Sequence, residues 1–273
     1  MSLAAPLLQA RYGAHANALN VPDSPVLEHL LSHRSVRHFL PDALPEHTIT
    51  TLVAAAQSAA SSSNLQTWSV VAVQSQASRD RLADLAGHQA HIRTAPLLLV
   101  WLADLSRIAR IAQYKGAQAD GLPYLDTYLM AVIDAALAAQ NAVVAAEALG
   151  LGTVYIGALR NQPEAVAEVV GTPEGVFPVF GLVVGHPDPA RPAAIKPRLP
   201  QAAVLHRERY TAPGNLIEEI GDYDAQLRSF QTREGLPPAD WSDVVLERLR
   251  DAQALKGRHR LVEALHGAGF PLR

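Results

Sequence analysis

Apolar positions recur at helical spacing along much of the chain. Ser24-Pro25 sets a capping hydroxyl before a proline at the first helical position, and a helix is expected from there through Leu31. Between residues 45 and 60, Ile49, Leu52, Val53 and Ala56 fall on one face and predict a second helix. Residues 68–73 have strand composition, and a further helix is expected over 78–86. Residues 96–102 are an unbroken apolar run, as in a strand covered on both faces. Short strands at 153–156 and 177–184 flank a helix at 163–170.

The longest periodic segment is 124–149. Leu129, Met130, Val132, Ile133, Leu137, Val143, Val144 and Leu149 are distributed nearly all around it. A helix apolar on every side belongs inside a large core or between subunits. Gly150 and Gly152 supply a left-handed stop. Beyond residue 200 the pattern becomes charged and amphipathic, with helices expected over 216–231, 241–255 and 258–266. The resulting picture is an α+β fold with four to five strands. It has a short tail at 1–20, a single domain at 21–273 and a helical extension from about 205.

Composition narrows the class. Hydrophobic residues are 49% and charged residues 18% of 273, enough for a sizeable core. A formal net charge of −3 argues against a nucleic-acid partner. Cysteine is absent, which excludes thiolate metal sites and disulfides and fits a reducing, cytoplasmic setting. No run reaches the length of a membrane span without a charged or helix-breaking interruption.

Candidate chemistry begins with His33-Arg34-Ser35-Val36-Arg37-His38-Phe39. Two guanidiniums, two imidazoles and a hydroxyl so close together match a phosphate ester. The plain alternative is a solvated helix end. Lys196 and Arg198 form a second basic group that could close on the same anion. Gly150-Leu151-Gly152 is not a dinucleotide fingerprint: position 155 is Tyr, and the glycines follow a helix rather than a strand. His88 and His91 have metal-ligand spacing but no carboxylate or thiolate companion. Ser61, Ser62 and Ser63 lack a nucleophile elbow and a base, so they read as a loop of hydroxyl and amide donors.

Taken in order, several segments resemble the flavin-dependent nitroreductase superfamily, and within it the branch of NADPH-dependent oxygen-insensitive nitroreductases and NADPH:FMN oxidoreductases. They are 33–39, 59–66, 139–142, 145–157, 180–182, 196–200 and the Thr232-Arg233 loop. The resemblance runs from about Val26 to the C-terminus. It implies a three-layer sandwich with a mostly antiparallel sheet, a homodimer, and FMN held at the subunit interface. It implies that His33, Arg34, Ser35, Lys196 and Arg198 meet the FMN phosphate and ribityl chain. Arg37 and Gln89 would meet the pyrimidine edge of the ring. Ser62, Ser63, Asn64 and Gln66 would contribute from a loop, and Tyr155, Ile156, Gly157 and Ala158 would lie along the isoalloxazine. Arg233 would bind the NADPH phosphate. Residues 115–121 form an insertion near the substrate pocket. The implied reaction is ping-pong hydride transfer from NADPH through FMN to nitroaromatics, quinones or free flavin. A specialised flavin reductase or dehalogenase of the same fold and a non-catalytic flavin-binding sensor are the alternatives.

Overall fold

The computed structural model describes residues 4–211 and 214–273. In chain order the regular elements are α1 (Ala4–Tyr12), α2 (Pro25–Leu31), α3 (Thr48–Gln57), β1 (Trp68–Val73), α4 (Gln76–Leu85), α5 (Ala90–Thr94) and β2 (Leu97–Asp104). Then come α6 (Ser106–Lys115), α7 (Leu125–Ala148), β3 (Gly152–Ile156), α8 (Pro163–Val170), β4 (Val176–Gly185), α9 (Leu216–Arg233), α10 (Trp241–Arg248) and α11 (Leu261–Gly267). The chain divides into two compact units, one of residues up to Arg34 with Ala193–Ala254, the other of Ser35–Pro192 with Leu255–Arg273.

The larger unit is an antiparallel four-stranded sheet in the order β1-β2-β4-β3, covered by helices. All eight residues of β2 are buried, as its unbroken apolar run requires of a central strand. Pro178 sits inside β4, where a ladder hydrogen bond would be lost. The register shifts between Trp101 and Leu102 and leaves Val179 unpaired, so the proline, opposite Leu102, lies beside a bulge.

α7 packs on this sheet through a face of small residues, among them Ala131, Ala135, Ala138, Ala139, Ala142 and Ala146. Ala138, Ala139, Ala142 and Ala146 share a core cluster with Leu52 of α3, Leu97, Leu99 and Trp101 of β2, and Leu182 of β4, while Ala131 packs in a second cluster with Phe177 and Phe270. The larger residues Leu125, Leu129, Ile133 and Leu137, four apart, form a stripe on the opposite face and remain exposed. The expectation of an all-round apolar helix thus resolves into an alanine face turned inward and a leucine–isoleucine stripe turned out. Among the described residues α7 is the one helix long and apolar enough, by length and composition, to cross a membrane, which the sequence reading had not expected. Its inner face is committed to the sheet.

The smaller unit gathers α1, α2, α9 and α10. Tyr223 of α9 meets Trp241 of α10 edge-on, with ring centroids 5.7 Å apart. The Ser242 hydroxyl donates to Asp224 at 2.5 Å. The segment expected as a tail, 1–20, contains α1, and its residues 1–3 lie outside the described residues.

One helix was not expected, and two expectations are corrected. Residues 106–115 form α6, an amphipathic helix with no buried residue, closed by Gly116 in the left-handed conformation. The insertion at 115–121 therefore starts on a helix end. The helix expected over 241–255 stops at Arg248, whose guanidinium turns back to the Ala254 carbonyl. Arg233, expected in a loop, is the last residue of α9.

Candidate functional site

The basic motif after α2 owes its presentation to two buried anchors. Val36 and Phe39 are each 5% exposed, while Ser35, Arg37 and His38 are exposed. The Val36 N–H donates to the Thr153 carbonyl at 2.9 Å, and that of Leu40 to the His186 carbonyl at 2.9 Å. Two glycines make room for the anchors. A Cβ on Gly152 would lie 2.8 Å from Val36, and one on Gly185 would lie 3.0 Å from Phe39. The polar side chains are thereby aimed outward. Arg37 has no hydrogen-bond partner among the described residues, so its five N–H groups are available to a ligand.

In the smaller unit, Arg11 of α1 joins two basic segments that are far apart in sequence. It is 6% exposed. Its guanidinium donates to the carbonyls of Leu31 at 2.9 Å, His33 at 3.0 Å and Lys196 at 3.0 Å. The Arg198 N–H returns a bond to the Arg11 carbonyl at 2.8 Å. The Tyr223 hydroxyl holds the Pro197 carbonyl at 3.2 Å. His33, Lys196 and Arg198 are thus brought onto one frame, and Arg34 continues the first segment with a bond to the Ser32 carbonyl at 3.0 Å. The sequence reading missed Arg11 and Tyr223. The available signal was that Arg11 is the one Asp, Glu, Lys or Arg before Asp23.

The serine loop is organised around Asp134 of α7, which is 1% exposed. This carboxylate accepts bonds from the Ser61 hydroxyl at 2.6 Å, the Ser62 N–H at 2.9 Å and the Thr67 hydroxyl at 3.2 Å. Burial pushes its pKa up, and the donors from Ser61, Ser62 and Thr67 more than offset this, leaving it below the ordinary carboxylate value. Ser63, Asn64 and Gln66 adopt left-handed φ of 49°, 55° and 53°, each costing roughly 1–2 kcal/mol for a residue with a side chain. Arg107 of α6 adds a clamp, donating to the Gln66 carbonyl at 2.6 Å. The Ser61 hydroxyl is engaged on both sides, since it also accepts from the Gln66 N–H at 2.8 Å.

Gln89 caps the start of α5, and its side-chain amide donates to the Ala86 carbonyl at 3.0 Å. Tyr155 and Ile156 end the edge strand β3, and Gly157 and Ala158 begin the turn after it. The Ile156 side chain is 1% exposed, so only its backbone can face a ligand. The Tyr155 hydroxyl donates to Gln140 at 3.3 Å, and its ring meets Phe180 edge-on at 5.3 Å. Burial, and secondarily the Glu147 carboxylate, push its phenol well up. His88 pairs with Asp84 at 2.8 Å.

The donors in each unit suit an anionic ligand with a hydrogen-bonding edge. Comparison with known proteins gives that chemistry a family. The Nitroreductase family model matches residues 30–186, and the model of the Nitroreductase family C-terminal domain matches residues 196–273. The chain belongs to the nitroreductase family. It is 38% identical over 224 residues to an FMN reductase (NADPH) of Bacillus subtilis, covering 81% of this chain and 89% of that one. It is 36% identical over 252 residues to an oxygen-insensitive NADPH nitroreductase of Salmonella typhimurium, covering 92% of this chain and 100% of the relative. The solved structure of NfrA2 from B. megaterium superposes with a TM-score of 0.85 at 38% identity, covering 92% of this chain and 99% of the other.

Proposed function

We propose that the chain is an FMN-dependent NADPH oxidoreductase, a cytoplasmic homodimer that passes electrons to nitroaromatics, quinones or free flavin. The observation that carries this reading is similarity, over nearly the whole chain, to relatives named for NADPH-dependent reduction of flavin and nitro compounds. The donor set fits the cofactor. Cationic and hydroxyl groups at 33–37 and 196–198 suit a phosphate and a ribityl chain, and an unpartnered guanidinium suits a carbonyl edge.

When bound, FMN supplies the redox chemistry, accepting hydride from NADPH and delivering it to the acceptor. His33, Arg34, Lys196 and Arg198 neutralise the phosphate, and the Ser35 hydroxyl adds a donor. Arg37 places fixed positive charge at the N1–C2=O edge, where reduction builds negative charge, and so raises the reduction potential. Gln89 donates to the same edge. Ser62, Ser63, Asn64 and Gln66 present donors whose directions are fixed by the strained loop. The backbone of Tyr155, Ile156, Gly157 and Ala158 lies along the ring, and Arg233 binds the 2′-phosphate of NADPH. No side chain need act as a nucleophile; orientation and electrostatics are the protein's share. The exposed stripe of Leu125, Leu129, Ile133 and Leu137 supports the homodimer, because a surface of this kind marks an interaction site.

The test is the visible spectrum of the purified protein before and after anaerobic addition of NADPH. A flavin spectrum that bleaches is expected. A protein that stays colourless when supplied with FMN would overturn the reading.

A further inference from the structure

A cleft of about 330 Å³ in the larger unit is lined by Arg37, His38, Phe39, Ala90, His91, Thr94 and Arg191. Every polar side chain in this lining can donate a hydrogen bond, and no carboxylate is among them. Asp188, the partner of Arg191, lies outside the lining and is already committed. Its side chain is 13% exposed, pairs with Arg191 Nε at 2.9 Å and accepts from the Ala190 N–H at 2.9 Å. That pairing leaves the terminal nitrogens of Arg191 for another acceptor. Arg37 has no hydrogen-bond partner among the described residues.

Like groups are crowded here. His91 Nε2 is buried with no partner. Burial, and then the charges of Arg37 and His38, hold its imidazole below the ordinary pKa. The walls are firm. Phe39 is 5% exposed and bridges to Pro187, and the Asp188 N–H donates to the His38 carbonyl at 3.0 Å. A firm cleft with donors on several sides and no carboxylate in its lining is a site for an anion.

The geometry points to this cleft as a binding site for a small oxyanion of the inorganic phosphate type, held by Arg191 and Arg37, with the Thr94 hydroxyl turning to it from its long 3.3 Å bond to the Ala90 carbonyl. The inference uses only the cleft and does not rest on the flavin reading. Arg37 is common to both, so the cleft must be tested with flavin in place.

The probe is inorganic phosphate, titrated calorimetrically into the FMN-loaded protein at constant ionic strength, with chloride as control. One saturable phosphate per chain is expected in addition to FMN. Loss of a charge-assisted bond in Arg191→Ala should weaken phosphate roughly ten-fold or more, with flavin content and NADPH oxidation unchanged. Thr94→Val, a nearly isosteric change, provides a second reading in case Arg191→Ala disturbs its loop. Absence of saturable binding would overturn the inference. So would wild-type affinity in both variants, or displacement of FMN by phosphate, which would assign the ion to the flavin phosphate site. If the protein takes no FMN, the flavin reading fails, and the same titration on the flavin-free protein still decides the anion site.

Discussion

The Ser61 hydroxyl donates to Asp134 across 73 residues of sequence, at 2.6 Å, and this bond ties a surface loop to the core helix. Ser62 and Thr67 donate to the same carboxylate. Ser63, Asn64 and Gln66 hold left-handed backbones between and beside these tethers. Such conformations persist only where surrounding contacts over-determine them. Asp134 therefore positions the loop proposed to meet FMN.

In Asp134→Asn the amide cannot accept all three donors, and leaving a buried group unsatisfied costs about 1–3 kcal/mol. The expected result is roughly a ten-fold rise in the FMN dissociation constant, with turnover per bound flavin little changed. The folded-state pKa lies below the ordinary value of 3.8, so the carboxylate stabilises the fold above that pH. The stability is lost as pH falls through the lowered folded-state pKa. Denaturant melts below pH 4 should show this loss in the wild type and a smaller one in the variant. Matching acid profiles and unchanged FMN affinity would remove Asp134 from this role.

Arg11 leads to a second prediction. Its three bonds to the carbonyls of Leu31, His33 and Lys196 hold together two segments that carry the proposed phosphate ligands. Bonds from a charged donor contribute about 1.5–3 kcal/mol each. Arg11→Ala should raise the FMN dissociation constant at least roughly ten-fold, although Arg11 is not itself proposed to touch the cofactor. Arg11→Lys keeps the charge but not the planar fork, and should recover only part of the affinity. Fluorescence titration of the flavin-free protein with FMN measures both. Unchanged affinity in Arg11→Ala would show that the two segments hold their places without it.

The two hubs explain what the sequence did and did not disclose. β2 was legible because eight buried positions leave an unbroken apolar run. The motif at 33–39 was legible because its charges are concentrated. Asp134 and Arg11 were passed over because their partners lie tens of residues away, and no local pattern names a distant carbonyl. Each is a single charge within an apolar helical stretch, and a buried charge there must find partners. α6 was passed over although its apolar residues recur at helical spacing; it buries none of them. Inverting the expected α7 packing needed the sheet itself, since only close approach favours alanine over leucine on the inner face.

The outer stripe of α7 gives a third prediction. Ile133 is 52% exposed and Leu129 46%, in the middle of the run from Leu125 to Leu137. If a second copy covers them, a charge at Ile133 is buried unpaired on association, a strongly unfavourable change. Ile133→Glu should shift the protein from dimer to monomer in sedimentation equilibrium and release FMN, while the circular dichroism of the chain is preserved. A variant that remains dimeric and yellow would place the subunit contact elsewhere.

Arg233 supplies the last prediction. It ends α9 with its guanidinium 5.7 Å from the centroid of the buried Phe230 ring and its Nε 3.6 Å from the Glu234 carboxylate. Its side chain is 67% exposed, so the ion pair is screened and easily exchanged for a phosphate. The contact with the ring uses none of the guanidinium's donors. If this guanidinium binds the 2′-phosphate as proposed, it distinguishes NADPH from NADH. Arg233→Ala should raise the KM for NADPH roughly ten-fold, as expected for one charge-assisted contact, and leave the KM for NADH and the flavin content unchanged. Because the contact is exposed, the wild-type KM for NADPH should also rise with ionic strength, and that dependence should flatten in the variant. Initial-rate measurements with both nucleotides over a salt series check the two effects together. An equal change for NADPH and NADH would show that Arg233 shapes the nucleotide site without reading its phosphate.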